Sequence, residues 1–224
     1  MNNRRIWFRL GGVLAAAAVC TGGAAVVSDR AQEAKNGQRA FLGAMETQMQ
    51  IGCYPSETGS PADLTERERT ELQTAYTSRV EQYYTEENPC RKRYIALNED
   101  FLTACDSDAE YSESGGVADC RFDSVRLYAD RMTAVVQAQT VVWDKRISGN
   151  PEQGFSVELP VDRDTITATM KKENGVWKLD SIDSQISLSA DNTVCRERYP
   201  TFETARQAAD SIDDQAYIKE ACFA

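Results

Sequence analysis

Apolar residues recur at intervals of three and four along the first part of the chain, and at intervals of two further on. The three-to-four spacing predicts a helix over 29–51 that ends near Gly52. Ser60-Pro61 has the chemistry of a helix start, an N-cap residue followed by proline in the first turn, and Asn88-Pro89 repeats it. We therefore expect three helices before the spacing changes.

A polar segment over 106–118 separates the helices from the residues with two-residue spacing. It is acidic at first, with Asp106, Asp108, Glu110 and Glu113, and then rich in serine and glycine. The acidic residues lack the glycine and the glutamate that a calcium-binding loop needs at its sixth and twelfth positions. The segment is therefore predicted to be a solvated surface loop.

Alternation of apolar and polar residues begins at Cys120 and predicts an antiparallel meander. Turns are expected at Asp130-Arg131, over 148–154, and at the hairpin sequence Asn174-Gly175. The predicted strands span 120–129, 132–147, 155–172 with an interruption at Pro160, and 176–186. Helices followed by an antiparallel sheet give an α+β fold. We expect the helices to pack on one face of a curved, four-stranded sheet.

The C-terminal residues form a different kind of segment. Thr201 is a candidate N-cap for a single helix that runs to Cys222 and packs on the sheet. The sequence thus divides into an N-terminal segment over 1–28, an α+β domain over 29–189, and a C-terminal helical extension over 190–224.

The N-terminal segment has the pattern of an export signal or a membrane anchor. Arg4, Arg5 and Arg9 precede an uncharged run of 18 residues from Leu10 to Val27, which is rich in alanine and glycine. Its length is at the lower limit for crossing about 30 Å of hydrocarbon. Both outcomes stay open: a single segment that anchors the chain in the cell membrane, or cleavage that leaves it secreted or periplasmic.

Two further interpretations of this segment are weaker. Lipid attachment at Cys20 is disfavoured because Val19 is larger than the small residue that normally precedes a lipidated cysteine. Arg4-Arg5 resembles a twin-arginine signal, but an ordinary basic flank is the preferred interpretation. In every case the remaining residues are predicted to lie outside the cytoplasm.

The charge of the chain restricts its partners. All 35 acidic residues and 22 of the 25 basic residues follow position 27, which leaves a net charge of −13 beyond the N-terminal segment. Nucleic-acid binding requires a cationic surface that displaces counterions, so it is not expected. Docking on an anionic lipid surface is disfavoured for the same reason.

Cysteine and histidine content favours disulfides over a metal site. The chain has no histidine and no C-x-x-C pair, so the spacing of zinc ligands is absent. Six cysteines follow Cys20. An even number of cysteines in an exported domain is typical of a disulfide framework. We expect the sequential pairs Cys53–Cys90, Cys105–Cys120 and Cys195–Cys222, the last of which would tie the C-terminal extension.

No catalytic residue, cofactor or metal is predicted from the residue pattern. The absence of histidine excludes triads that rely on imidazole. Catalysis by a tyrosine and a buried aspartate stays open, but no spacing selects a pair from Tyr76, Tyr83, Tyr84, Tyr94 and Tyr128. The candidate lining of a pocket for a small apolar ligand is Tyr76, Tyr83, Tyr128, Trp143 and Trp177. Core packing is the preferred interpretation of Trp143, Trp177 and Phe122.

Three short stretches carry a resemblance to a known family: Gln139-Thr140-Val141-Val142, Val161-Asp162-Arg163, and 169–182 with its Gly175-Val176-Trp177-Lys178-Leu179 turn and strand. With the element order, they resemble the nuclear-transport-factor-two-like cone fold. Within that superfamily they are most similar to actinobacterial Mce-associated membrane proteins. The six cysteines and the C-terminal extension depart from that family.

The resemblance implies one N-terminal membrane segment and an extracytoplasmic domain with a cone-like sheet. It favours a non-enzymatic accessory subunit that binds a membrane or envelope protein within a transport or secretion assembly. The alternative is a small-molecule-binding protein, or an enzyme that uses aspartate and tyrosine, with its site inside the cone.

Overall fold

The structure is a computed structural model that describes residues 29–53, 64–103, 111–190 and 197–223, with no side-chain account of residues 190, 222 and 223. The predicted N-terminal signal or anchor lies outside the described residues. Helices precede an antiparallel sheet, so the α+β prediction is confirmed. The elements are α1 (Asp29–Met49), α2 (Glu66–Tyr83), α3 (Pro89–Thr103), β1 (Tyr111–Leu127), β2 (Thr133–Asn150), β3 (Gly154–Glu158), β4 (Val161–Glu173), β5 (Val176–Ala190), α4 (Phe202–Asp210) and α5 (Asp214–Phe223).

The sheet has the order β1-β2-β4-β5, and β3 pairs with the far end of β2. The predicted strand over 155–172 is therefore two strands, and the sheet has five strands in the described residues rather than four. The break falls at Leu159-Pro160, where proline has no amide hydrogen to donate to a ladder. The carbonyl of Pro160 still accepts a hydrogen bond from the amide of Asp144 at 3.3 Å, so both strands stay beside β2.

The loop predicted over 106–118 is wrong for the part that the structure describes. β1 begins at Tyr111 and pairs with β2 from Tyr111 opposite Ile147 to Leu127 opposite Ala134. The glycines here do not indicate a loop. The end of α1 crosses this strand so closely that a side chain would not fit. A Cβ atom on Gly115 would lie only 2.3 Å from the carbonyl oxygen of Met49.

Two helix boundaries also differ from the prediction. α2 begins after Thr65 rather than at Ser60, which lies outside the described residues, and Thr65 forms a capping box with Glu68. The predicted tail helix is two helices, α4 and α5, separated by a short turn at 211–213. Thr201 does cap the first of them, as predicted, by accepting a hydrogen bond from the amide of Thr204.

The main core lies between α1 and one face of the sheet. Phe41, Ala44 and Met45 of α1 are fully buried against this face. Phe41 also meets Phe122 of β1 edge to face, with 5.9 Å between the ring centroids. Small residues on the central strands, such as Ala138, let the helix approach closely. The side chains of α1 therefore fill the face of the sheet that a cone-like fold would use as an interior.

The C-terminal extension is packed onto the domain. Ala205 and Ala209 of α4 are buried in a second cluster with Ile147 and Val157. Further apolar contacts place α5 against the sheet through Ile218, Ala221, Leu159, Val161, Val141 and Trp143. Burial of apolar surface therefore contributes to the docking of this extension.

Two of the three predicted disulfide pairs are contradicted. Cys53, Cys90 and Cys120 are free thiols, so the pairs Cys53–Cys90 and Cys105–Cys120 are wrong. The amide of Gly52 donates to Oδ1 of Asn98 at 2.8 Å. Asn98 lies eight residues after Cys90, or about 12 Å along the axis of α3. Helix geometry thus separates the first two sulfurs.

The third predicted pair, Cys195–Cys222, lies outside the part of the chain that the structure describes. The same is true of Cys105, and of Cys222 only the backbone is described.

Candidate functional site

The aromatic residues predicted to line a pocket do not form one site. Tyr76, Tyr83 and Trp177 belong to the main core beside α1. Trp143 packs in the separate cluster under α5. Tyr128 is exposed at the hairpin between β1 and β2.

The buried tyrosine hydroxyls hold α1 in place. The hydroxyl of Tyr76 donates to the carbonyl oxygen of Thr47 at 3.2 Å, and that of Tyr84 donates to the carbonyl oxygen of Ala44 at 2.7 Å. Burial raises the pKa of both phenols well above the ordinary value. Phenols that stay protonated and bind backbone carbonyls are structural donors in this arrangement.

Trp177 has a comparable role at the start of α1. Its Nε1 donates to Oε2 of Glu33 at 2.7 Å, and Nζ of Lys172 lies 2.7 Å from Oε1 of the same carboxylate. The hydrogen bonds from Lys172 and then Trp177 lower the pKa of Glu33. The indole thus joins β5 to the first turns of α1.

One half of the β5 edge is covered by the chain between α2 and α3. Both the amide of Thr85, at 3.0 Å, and Nδ2 of Asn88, at 3.1 Å, donate to the carbonyl oxygen of Leu179. Tyr84 also forms an isolated parallel bridge with Leu179. These contacts cap the edge only near the start of the strand.

The other half of β5, which we call the open edge and define as Ser184–Ser189, is exposed along its length. No strand among the described residues pairs with it on the side away from β4. Ile186 and Leu188 are 61% and 69% exposed. They lie opposite Thr165 and Arg163 of β4, which are also exposed, and therefore on the face of the sheet that α1 does not cover.

The register along the open edge is unbroken, from Ser184 opposite Thr167 to Ala190 opposite Val161. The opposite edge of the sheet is different, because β1 has three register shifts along its pairing with β2. Bulges of this kind protect an edge strand from pairing with another chain. The open edge lacks that protection and presents apolar side chains.

A buried charged cluster lies at the junction of α4 and α5, and sequence reasoning missed it. Nζ of Lys145 donates to the carbonyl oxygen of Ala209 at 3.1 Å, and it lies 2.8 Å from Oδ1 of Asp214 and 3.5 Å from Oε2 of Glu113. A lysine thus meets one carbonyl in the last turn of α4 and an acidic residue in the first turn of α5. Both contacts complement the helix dipoles.

The prediction that Glu113 lies on a solvated loop is therefore wrong. Its carboxyl group is buried in β1, and desolvation raises its pKa to about 7. Lys145 opposes this shift, whereas Asp210 adds to it. One lysine faces three nearby carboxylates, so Glu113 takes up a proton at a higher pH than an exposed glutamate does.

The sequence contained a signal for this cluster. Lys145 occupies the middle of the alternating series Trp143, Lys145, Ile147, where an apolar residue is expected. A charge at such a position indicates either an edge facing solvent or a buried partner of opposite charge. The partner could not be identified, because Glu113 stood within an acidic run.

No group of three or more histidine, cysteine, aspartate or glutamate residues suited to metal binding occurs in the described parts of the chain. Within the same parts, no helix has the length and apolar character needed to span a membrane. A cavity of about 380 Å³ opens between the start of α1 and the end of β1. Its lining residues are Arg30, Ala31, Ala34, Val125, Arg126 and Leu127.

No protein-family model matches the chain, and no curated protein matches it. One solved structure, the intermembrane space region of the chloroplast protein ARC6, aligns with a TM-score of 0.40 and 12% sequence identity. The alignment covers 70% of this chain and 96% of that one.

Proposed function

We propose that this chain is a non-enzymatic accessory domain outside the cytoplasm, held at the membrane by its N-terminal segment. In this proposal it is a protein-interaction subunit of an envelope transport or secretion assembly. Membership of the cone-fold superfamily, with a relationship to Mce-associated proteins, is part of the same proposal. The order of helices and strands and the three short sequence stretches support it.

The observation that carries the proposal is the open edge of β5. An edge strand with regular register offers backbone amides and carbonyls in the spacing that an extended peptide needs. Ile186 and Leu188 add apolar contacts on one face of such a pairing. A partner that adds a strand here would bury both side chains and form hydrogen bonds with the backbone amides and carbonyls of the edge.

The alternative, a binding or catalytic site inside the sheet, has weaker support. α1 fills that face with Phe41, Ala44 and Met45, which are fully buried. The hydroxyls of Tyr76 and Tyr84 are bonded to the backbone of α1. A ligand there would have to displace the helix and break these contacts.

Affinity purification of the full chain from its native membranes tests the proposal. A photo-crosslinking residue at Gln185 should join the open edge to a defined protein of the envelope. The double change Ile186→Lys and Leu188→Lys should abolish both the crosslink and the co-purification, because it places two charges where a strand would pack. Gln137→Lys is the matched control, since Gln137 is exposed on β2, away from the edge.

The control should retain the partner. Equal recovery of the same partner by the double variant and by the control would contradict the proposed edge. Purification of the wild-type chain alone, in soluble form, would contradict the accessory role itself.

A further inference from the structure

We infer that the end of the domain where α1 begins lies on the lipid interface of the membrane. The surface concerned, which we call the hairpin surface, comprises Arg30, Arg126, Tyr128, Arg131 and Met132. The bilayer itself contacts this surface. The arginines bind lipid phosphates, and the side chains of Tyr128 and Met132 lie among the headgroups. The inference rests on the proposed anchoring by the N-terminal segment.

All of this surface is gathered at one end of the sheet. β1 and β2 are joined there, with Leu127 paired to Ala134. β4 and β5 are joined at the same end, because Thr133 of β2 pairs with Lys171 of β4. The start of α1 is fixed to this end, since Nη2 of Arg30 donates to the carbonyl oxygen of Leu127 at 3.2 Å.

The sequence before α1 brings this end to the membrane. The uncharged run ends at Val27, and α1 begins two positions later at Asp29. Two residues span at most about 7 Å. If the run stays in the bilayer, the first turn of α1 and the adjoining hairpin have no linker that could carry them away from the lipid surface.

The side chains of the hairpin surface have the chemistry of membrane interfaces. Tyr128 and Met132 are 44% and 47% exposed, although both are large and apolar over most of their surface. The guanidinium of Arg126 lies over the Tyr128 ring, 5.6 Å from its centroid. Tyrosine and arginine are residues that place an apolar part in the headgroup region and a polar part in water.

The local charge differs from that of the whole chain. Arg30, Arg126 and Arg131 are all exposed at this end, together with Asp29 and Asp130. The carboxylate of Asp130 accepts hydrogen bonds from the amides of Met132 and Thr133, at 2.9 and 3.1 Å, so it is engaged within its own turn. Because charges are screened beyond about 8 Å at physiological salt, the acidic remainder does not cancel this local excess.

The cavity between α1 and β1 adds a recess for a headgroup. Arg30 and Arg126 line it together with the apolar residues Ala34, Val125 and Leu127, and its volume is about 380 Å³. Two guanidinium groups beside a small apolar recess suit a phosphate bonded to a lipid. This chemistry is shared by zwitterionic and anionic lipids.

The open edge of β5 lies away from the hairpin surface. Leu188 pairs with Arg163, which pairs with Val141 of β2, eight residues from Thr133. Eight strand residues span about 26 Å. Measured along the strands, Leu188 is therefore about 26 Å from the hairpin surface, and the proposed partner would be met away from the lipid.

Lipid quenching of tryptophan fluorescence tests the inference on the full chain. The chain is reconstituted in nanodiscs that carry brominated acyl chains, and Tyr128→Trp is compared with Phe101→Trp. Phe101 is a matched control because it is also a partly exposed aromatic residue, on α3. The signal of the three native tryptophans is measured in the parent chain and subtracted.

We expect the bromolipid to quench the added tryptophan at position 128 at least about twofold more than the one at position 101. Adding Arg126→Glu and Arg131→Glu should reduce this quenching to the control level while the nanodisc retains the chain. Equal quenching at the two positions, or a chain that does not stay with the lipid, would overturn the inference. Loss of the open-edge crosslink with quenching intact would instead refute the proposed partner alone.

Discussion

Two lysines tie helices to the sheet, one at each end of the molecule, and they do so in different surroundings. Lys145 joins the turn between α4 and α5 to β2, and its side chain is 7% exposed, with Glu113 at 5%. Lys172 joins the start of α1 to β4, and it pairs with Glu33, whose side chain is 26% exposed. The Lys145–Glu113 contact is the longer of the two, at 3.5 Å against 2.7 Å between Lys172 and Glu33, but it is the more deeply buried.

Burial, rather than bond length, decides what each contact contributes to the stability of the fold. A pair near water contributes little to the free energy of unfolding, because solvent screens the charges and the unpaired side chains are already hydrated. Removing one partner of a buried pair strongly destabilises the fold, since the other partner is left as an uncompensated charge. Substitutions at the two ends should therefore differ severalfold in effect.

The largest effect is expected for Lys145→Ala. It removes the cation that faces Glu113 and Asp214 and the donor to the carbonyl oxygen of Ala209. At pH 8, where Glu113 is ionised, we expect the free energy of unfolding to fall by about 3–5 kcal/mol. Hydrogen exchange of α4 and α5 should accelerate more than that of α1, because the tail loses its attachment first.

A double variant separates charge from packing. Lys145→Met with Glu113→Met replaces the buried pair by apolar side chains of similar length, and it should recover most of the lost stability. The comparison between the two ends would fail if the single and double variants were equally unstable, or if Lys145→Ala were no more destabilising than a change at Glu33.

Sequence patterns predicted the elements whose contacts are local. The helical spacing before Gly52, the cap at Thr201 and the turn at Asn174-Gly175 depend on neighbouring residues, and all three occur as expected. The extent of β1 was missed, because its first residues are polar and become a strand only through pairing with β2. Long-range pairing of this kind is only weakly reflected in the local amino-acid composition.

The candidate sites were harder to predict for a related reason. The disulfide prediction relied on an even cysteine count, whereas the separation of Cys53 from Cys90 depends on where the residues after α1 contact α3. The open edge could not be identified either. Ile186 and Leu188 resemble core residues until the sheet order shows that β5 is an edge strand.

The two ends should also respond oppositely to pH. The pKa of Glu113 is raised to about 7 by burial, so the folded state binds a proton more tightly than the unfolded state. Its contribution to stability is present below the unfolded-state pKa and is lost as the pH rises through about 7. We expect a decrease in the free energy of unfolding on the order of 2 kcal/mol over this interval.

Glu113→Gln tests this directly, because an amide keeps the shape and does not titrate. Urea denaturation between pH 5 and 8 should show a flatter profile for the variant than for the wild type. A wild-type profile that rises over this range, or a variant that keeps the wild-type slope, would show that Glu113 is already ionised in the folded protein.

The smallest effect is expected for Glu33→Gln at the other end. Its pKa is lowered by the hydrogen bonds from Lys172 and Trp177, so its stabilisation is present at neutral pH and is lost as the pH falls through the folded-state value. We expect a loss of about 0.5–1 kcal/mol at neutral pH, because the carboxylate is partly hydrated. The amide oxygen can still accept from Nε1 of Trp177, so the position of α1 should not change.

Salt distinguishes this contact from the buried one. The difference between wild type and Glu33→Gln should shrink when the ionic strength is raised to about 1 M, where the screening length is near 3 Å. The difference for Lys145→Ala should persist, since the ions do not reach that cluster. If both differences shrank equally, the buried lysine would be exchanging with solvent. Burial would then not explain the contrast between the two ends.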